Sequence, residues 1–75
     1  MHDELRTAVH SALASMSTDL AEIVWLRLFE GQTMPAIAAR LDVGLTTAKA
    51  RFRRAAELYR ARLRESMDSA STGHA

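Results

Sequence analysis

The sequence predicts an all-α protein, in which four helices form one compact domain. Three observations support this expectation. Apolar residues recur at the three- and four-residue spacing of helices along most of the chain. Alanine is the commonest apolar residue and only 5% of the residues are aromatic, which favours small, closely packed helices. Finally, 75 residues without cysteine form one domain at most, so its core holds without disulfides or thiolate metal sites.

Two amphipathic segments fill the first part of the chain. The first runs from about Asp3 to Met16 and places its apolar residues on one helical face. Hydroxyl side chains at positions 15, 17 and 18 then compete for backbone hydrogen bonds and interrupt the pattern. A second helix should begin near Asp19 and end near Glu30, because Gly31 tolerates the left-handed conformation of a helix C-cap.

A short helix and a long helix follow. Thr33 can cap the third helix, and Pro35 suits its first turn, where no backbone donor is needed. A tight turn at residues 42–44 then leads to the longest helix, which should run from Leu45 to about Arg64. Residues 65–75 are rich in serine, glycine and other small residues and lack periodicity, which predicts a frayed helix end and a flexible tail after a domain of residues 1–64.

The charge is unevenly distributed. The whole chain carries a net charge of +1, but residues 40–64 contain eight basic and two acidic residues, which gives +6. Residues 1–39 and 65–75 are acidic overall. A short segment of such high charge attracts polyanions whatever the sum over the whole chain is.

The last two predicted helices have the form of a helix-turn-helix, with a long carboxy-terminal recognition helix. At 100° per residue, the face opposite its apolar arc is polar and basic. We call the predicted DNA-binding residues on this face and its flanks the recognition strip: Thr46, Thr47, Lys49, Ala50, Arg51, Arg53 and Arg54. These residues should enter a major groove of double-stranded DNA.

Each residue type in the recognition strip suits a contact with DNA. The forked donors of Arg53 and Arg54 match the two acceptors on a guanine edge, and the threonines offer a hydroxyl and a methyl group. Ala50 is small enough for the helix to lie deep in the groove, and Lys49 and Arg51 suit the phosphates of the two groove walls. The remaining arginines of this helix, at positions 60, 62 and 64, are interpreted as solvated surface residues.

The aromatic residues have two interpretations. Trp25, Phe29, Phe52 and Tyr59 are expected in the core, because a small domain has few large side chains to bury. Alternatively, Trp25 is an exposed anchor and forms, with Phe29, the contact surface for a partner protein.

Motifs between Leu13 and Leu63 resemble region 4 of bacterial sigma factors, most closely that of the extracytoplasmic-function group. The shared patterns are L-R-x-x-E-G at the end of a helix, a capping hydroxyl residue, I-A-x-x-L-x-V, and T-V-K-x-R followed by R-A. The matching residues are Leu26, Arg27, Glu30, Gly31, Thr33, Ile37, Ala38, Leu41, Val43, Thr47, Lys49, Arg51, Arg54 and Ala55. The resemblance covers about two-thirds of the chain.

The resemblance implies a role in transcription initiation. The last helix would dock in the major groove of the −35 promoter element, and the earlier helices would contact the flap of the RNA polymerase β subunit. An anti-sigma factor or a partner sigma factor would be a further ligand. The chain is too short to hold region 2 as well, so we expect either an excised carboxy-terminal domain or a free-standing regulator that resembles region 4.

Four positions depart from the family pattern. Ala36 replaces the glutamate that usually completes a capping box with the residue at Thr33, so the third helix should start less firmly. Asp42 replaces the turn glycine, Gly44 the usual cap of the recognition helix, and Ala48 the valine of T-V-K.

A second hypothesis is a protein-interaction module that binds RNA polymerase, a sigma factor or an anti-sigma factor, with DNA contact secondary. RNA binding is a third hypothesis, disfavoured because no aromatic residue on the outer helix face can stack on bases. No nucleophile pattern or metal-ligand spacing is present, so no enzymatic activity, metal or other cofactor is expected. No apolar run is long enough for a membrane span, which predicts no membrane contact and a cytoplasmic location.

Overall fold

The computed structural model describes the backbone of residues 2–72 and the side chains of residues 3–68. Within this part the fold is all-α and contains no strand, which confirms the predicted fold class. The helices are α1 (His2–Ala14), α2 (Thr18–Val24), α3 (Met34–Leu41) and α4 (Leu45–Thr72), and a π-helical segment, Trp25–Phe29, continues directly from α2. Helices α1, α2 and α3 each pack against α4, which makes α4 the centre of the fold.

The core lies where α4 meets the other three helices. Ile23, Leu26 and Ile37 are almost fully buried, and Ala12 and Ala55 are inaccessible to solvent. The small side chains on α4 let the neighbouring helices approach closely, as expected for an alanine-rich chain of few aromatic residues.

The second predicted helix is present, but its last turn is a π-helix. Here the backbone N–H of Glu30 donates to the carbonyl of Trp25 at 3.1 Å, a bond that spans five residues. The N–H of Gln32 donates to the carbonyl of Leu26 at 3.0 Å, and Gly31 between them has a φ of 67°. The glycine therefore ends the helix in the left-handed conformation, as predicted.

Helix α3 is capped at both ends. The hydroxyl of Thr33 accepts a hydrogen bond from the N–H of Ala36 at 3.2 Å, although a capping glutamate is lacking. At the other end Asp42 has a φ of 57°, and the N–H of Val43 donates to the carbonyl of Ala38 at 3.0 Å. This is the hydrogen bond of a Schellman motif, so Asp42 takes the left-handed position that glycine usually occupies.

Helix α4 begins at Leu45 as predicted, but it continues to Thr72 rather than ending near Arg64. Two structural features accompany the extension. Ser66 is half-buried in a groove against α1, and Arg62 Nη1 lies 3.4 Å from Glu65 Oε2, one helical turn away. The flexibility of residues 65–75 stays a prediction, and residues 73–75 lie outside the described part of the chain.

Candidate nucleic-acid interface

Helix α3, the turn at residues 42–44 and the first half of α4 form a helix-turn-helix. The buried side of α4 determines which residues face outward: Ala48 and Ala55 are inaccessible and Tyr59 is 7% exposed. Burial raises the pKa of the Tyr59 phenol above its usual value. Most described residues on the opposite side of the first half of α4 are exposed, so their side chains are accessible to a ligand.

The recognition strip occupies this open side. Six of its seven residues are exposed, and the seventh, Arg51, is half-buried. Within the described side chains, no hydrogen bond or ion pair engages the cationic groups of Lys49, Arg51, Arg53 or Arg54. The structure therefore places the predicted residues on one surface, and their hydrogen-bond donors have no partner within the described part of the protein.

Two grooves run along the flanks of the recognition strip. The α2-side groove, of about 560 Å³, lies between the start of α2, at Ser17 and Asp19, and strip residues that include Arg51 and Arg54. The α3-side groove, of about 430 Å³, lies between Arg27 in the π-helical segment, Met34 in α3 and the other flank of α4. Sequence reasoning missed both grooves, because no spacing along the chain indicates which loops approach α4.

The prediction that Trp25 and Phe29 lie in the core is wrong. Trp25 is 44% exposed and Phe29 46% exposed, and their rings stack with centroids 4.8 Å apart. The core positions of this turn are taken by Val24 and Leu26 instead. The indole Nε1 donates to a carboxylate oxygen of Glu30 at 2.9 Å, which holds the exposed ring in place.

The two rings belong to a larger apolar surface. Together with Leu5 and Val9 of α1 they line a hollow of about 320 Å³, whose rim carries Arg6 and His10. We call Leu5, Val9, Trp25 and Phe29 the aromatic patch. Exposed apolar side chains in contact with one another are typical of protein interaction sites. The aromatic patch therefore has the character that the alternative interpretation of Trp25 requires.

Within the described part of the molecule, no group of three or more His, Asp or Glu residues could hold a metal ion. No helix among the described residues is both long and apolar enough to cross a membrane.

Comparison with known families gives the class of the protein. The family model described as Sigma-70, region 4 matches residues 6–64, which include the whole recognition strip, Trp25 and Phe29. The chain therefore belongs to the sigma-70 region 4 family, a family of DNA-binding transcription domains rather than of enzymes. Its role accordingly lies in transcription initiation, with DNA and RNA polymerase as binding partners. Searches of the curated proteins and of the solved structures found no significant match.

Proposed function

We propose that this domain reads a −35-like element of double-stranded DNA by inserting the first half of α4 into the major groove. The observation that carries the proposal is the exposure of the recognition strip opposite the buried face of α4, where no described residue pairs with its cationic groups. A surface without ordered internal partners keeps its donors for a ligand, and arginine donors suit base edges and phosphates equally well.

The residues divide by position along and around α4. Thr46 and Thr47 lie in the first turn, where recognition helices contact bases, and Ala50 lets the backbone come close. Arg53 and Arg54 follow on the same open side, where they read guanine edges. Lys49 lies on the flank next to the α3-side groove and Arg51 on the flank next to the α2-side groove, where each binds a phosphate.

The finer assignment follows from the motifs. The patterns around Arg27, Thr47 and Lys49 are similar to those of the extracytoplasmic-function group, so we assign the domain to that type. It acts in the cytoplasm either as the region 4 of a sigma factor or as a free-standing regulator that resembles it. In both cases the polymerase or a partner sigma factor supplies the remaining promoter contacts.

A second function rests on the aromatic patch. Two stacked aromatic rings and two aliphatic side chains form an apolar surface with a basic rim. Such a surface suits the flap of the RNA polymerase β subunit, and an anti-sigma factor that covers it would inhibit the domain. The patch and the recognition strip involve different residues, so binding to the polymerase and binding to DNA are separable by mutation.

The test of DNA reading is a comparison of duplexes. Selection from random duplex DNA, with and without RNA polymerase, gives a preferred sequence, and titration against a scrambled duplex gives the selectivity. The double variant Arg53→Ala/Arg54→Ala should lose at least roughly 30-fold in selectivity, since it removes two bidentate base contacts that are each worth about 1–3 kcal/mol. The control, Arg6→Ala/Arg64→Ala, removes the same charge outside the strip and should keep it. Unchanged selectivity in the first variant would rule out base reading by these arginines.

A further inference from the structure

The α3-side groove is the more basic of the two grooves beside the recognition strip. Its walls carry four cations, Arg27, Lys49, Arg53 and Arg60, and one carboxylate, Glu57. The α2-side groove, by contrast, carries two arginines and the carboxylate of Asp19, with the hydroxyls of Ser17, Thr46 and Thr47. The two flanks of the same helix therefore offer very different electrostatic attraction to a polyanion.

Three of the four cations are aligned by the geometry of α4. At 100° per residue, Lys49, Arg53 and Arg60 fall within an arc of roughly 40°, and at 1.5 Å per residue Lys49 and Arg60 are about 16 Å apart along the axis. They form a line of positive charge parallel to the helix. A line of that length can meet more than one phosphate of a DNA strand.

The fourth cation comes from a distant part of the sequence. Arg27 lies in the π-helical segment, and its Nη1 donates to the carbonyl of Gln32 at 3.2 Å. This hydrogen bond anchors the guanidinium at the loop before α3, on the opposite wall of the groove from Arg60. A guanidinium has five N–H donors, so most of them stay available to a ligand.

Arg60 differs from its neighbours on α4. Arg62 pairs with Glu65 at 3.4 Å, and Arg64 lines none of the grooves described above. Arg60 is exposed, and among the described residues no hydrogen bond or ion pair engages its side chain. Arg60, Arg62 and Arg64 have the same interpretation from the sequence, but the structure places them in three different environments.

We propose that Arg27 and Arg60, together with Lys49, bind the phosphodiester backbone of one strand of the duplex, the strand on the α3 side of the recognition strip. The proposal rests on the proposed function, because it requires the strip to face DNA. Continuity favours DNA over an acidic protein as the occupant: Lys49 and Arg53 belong both to the strip and to the groove, so a duplex that meets the strip brings phosphates to this flank. The opposite flank, with Asp19, holds its strand less strongly.

The test is the salt dependence of DNA binding by the whole chain. Each phosphate contact contributes about 0.9 to the slope of log K against log salt. Arg60→Gln and Arg27→Gln should each flatten that slope by about one and weaken binding roughly five- to ten-fold at about 0.1 M salt. The loss should be equal for preferred and scrambled duplexes, since phosphates carry no sequence information. Arg64→Gln, the control one turn further along α4, should keep the wild-type slope.

The possible outcomes separate the two proposals. If both Gln variants keep the wild-type salt slope of DNA binding, this inference is overturned. If the same variants also bind RNA polymerase less well, the groove is assigned to an acidic protein partner instead. A loss of selectivity in either variant also overturns the inference, because it would assign a base contact. If the wild-type chain prefers no duplex at all, the proposed reading of promoter DNA fails, while the slopes on random duplex still report the phosphate contacts. Thermal unfolding checks that Arg27→Gln, which loses the bond to Gln32, stays folded, and Arg60→Gln tests the groove without that complication.

Discussion

The recognition strip and the aromatic patch are opposite in chemistry but similar in their place in the fold. The strip is cationic and threonine-rich, whereas the patch is apolar with two stacked rings. Both are formed by exposed or half-buried side chains that lie outside the buried core formed by residues such as Ile23 and Ala55. This small domain therefore keeps its ligand surfaces separate from the residues that stabilise it. Substitutions that abolish binding at either surface should therefore leave the protein folded.

The largest effect should come from breaking the core behind both surfaces. Ile23 is inaccessible to solvent, so Ile23→Ala should lower the free energy of unfolding by about 2–5 kcal/mol and impair DNA and polymerase binding together. Leu28→Ala is the control, because this residue is 52% exposed and its loss should cost little. Urea unfolding measures both variants. A domain that tolerates Ile23→Ala as well as Leu28→Ala would contradict the assigned core.

The second-largest effect should be a difference in salt dependence between the ligands of the two surfaces. With about 4–6 phosphate contacts, raising the salt concentration from about 50 to about 200 mM should weaken DNA binding roughly 10²- to 10³-fold. Binding of the β flap to the aromatic patch should change much less, because burial of apolar area does not depend on counterion release. Titrations of both ligands over the same salt series make the comparison. Equal salt slopes would mean that the two ligands share the basic surface.

Trp25→Ala should affect the patch alone. Removal of a central aromatic anchor costs a typical interface about 2 kcal/mol or more, so binding of the flap should fall by at least about 30-fold. DNA affinity should stay within a factor of about two, because Trp25 lies outside the strip and its grooves. Pull-down of the polymerase and a DNA titration, run beside the Arg53/Arg54 double variant, check both halves. Loss of DNA binding in Trp25→Ala would show that the surfaces are coupled.

A smaller change should act on the strip more than on the patch. The Thr33 hydroxyl caps α3, the first helix of the helix-turn-helix, so Thr33→Ala should cost about 1 kcal/mol of stability and weaken DNA binding before polymerase binding. Thr33→Ser retains the hydroxyl and should behave as the wild type. Thermal unfolding of the pair gives the measurement, and identical melting of Ala and Ser variants would exclude a role for the cap.

The smallest effect should appear only in alkaline solution. The folded state raises the pKa of Tyr59 above 10.0 by desolvation, so it holds the phenol proton to higher pH than the unfolded chain does. This stabilisation is complete below pH 10.0 and is lost as the pH rises through the folded pKa. Tyr59→Phe should therefore reduce the fall of the melting temperature as the pH rises through that range. The effect concerns the core that supports both the recognition strip and the aromatic patch. A decline as steep as in the wild type would assign it to other groups.

The helices and their caps were largely predictable because their signals are local. Gly31, Thr33 and Asp42 act through their own backbone and neighbours within a few residues, and all three were placed correctly. The end of α4 was placed too early. The composition after Arg64 lacks a periodic pattern, whereas the groove that Ser66 lines together with α1 depends on a segment far away in the sequence.

By itself, the sequence determined the all-α class, the helix-turn-helix and the open face of α4, because helical periodicity and charge are properties of short segments. Only the tertiary structure decided that Trp25 and Phe29 face solvent, since Val24 and Leu26 are the residues of this region that are buried in the core. It alone placed Arg27 across a groove from Arg60, which is 33 positions later in the chain. The physical reason is the same in both cases: burial and the placement of charges depend on which helices pack together, and no local pattern encodes that choice.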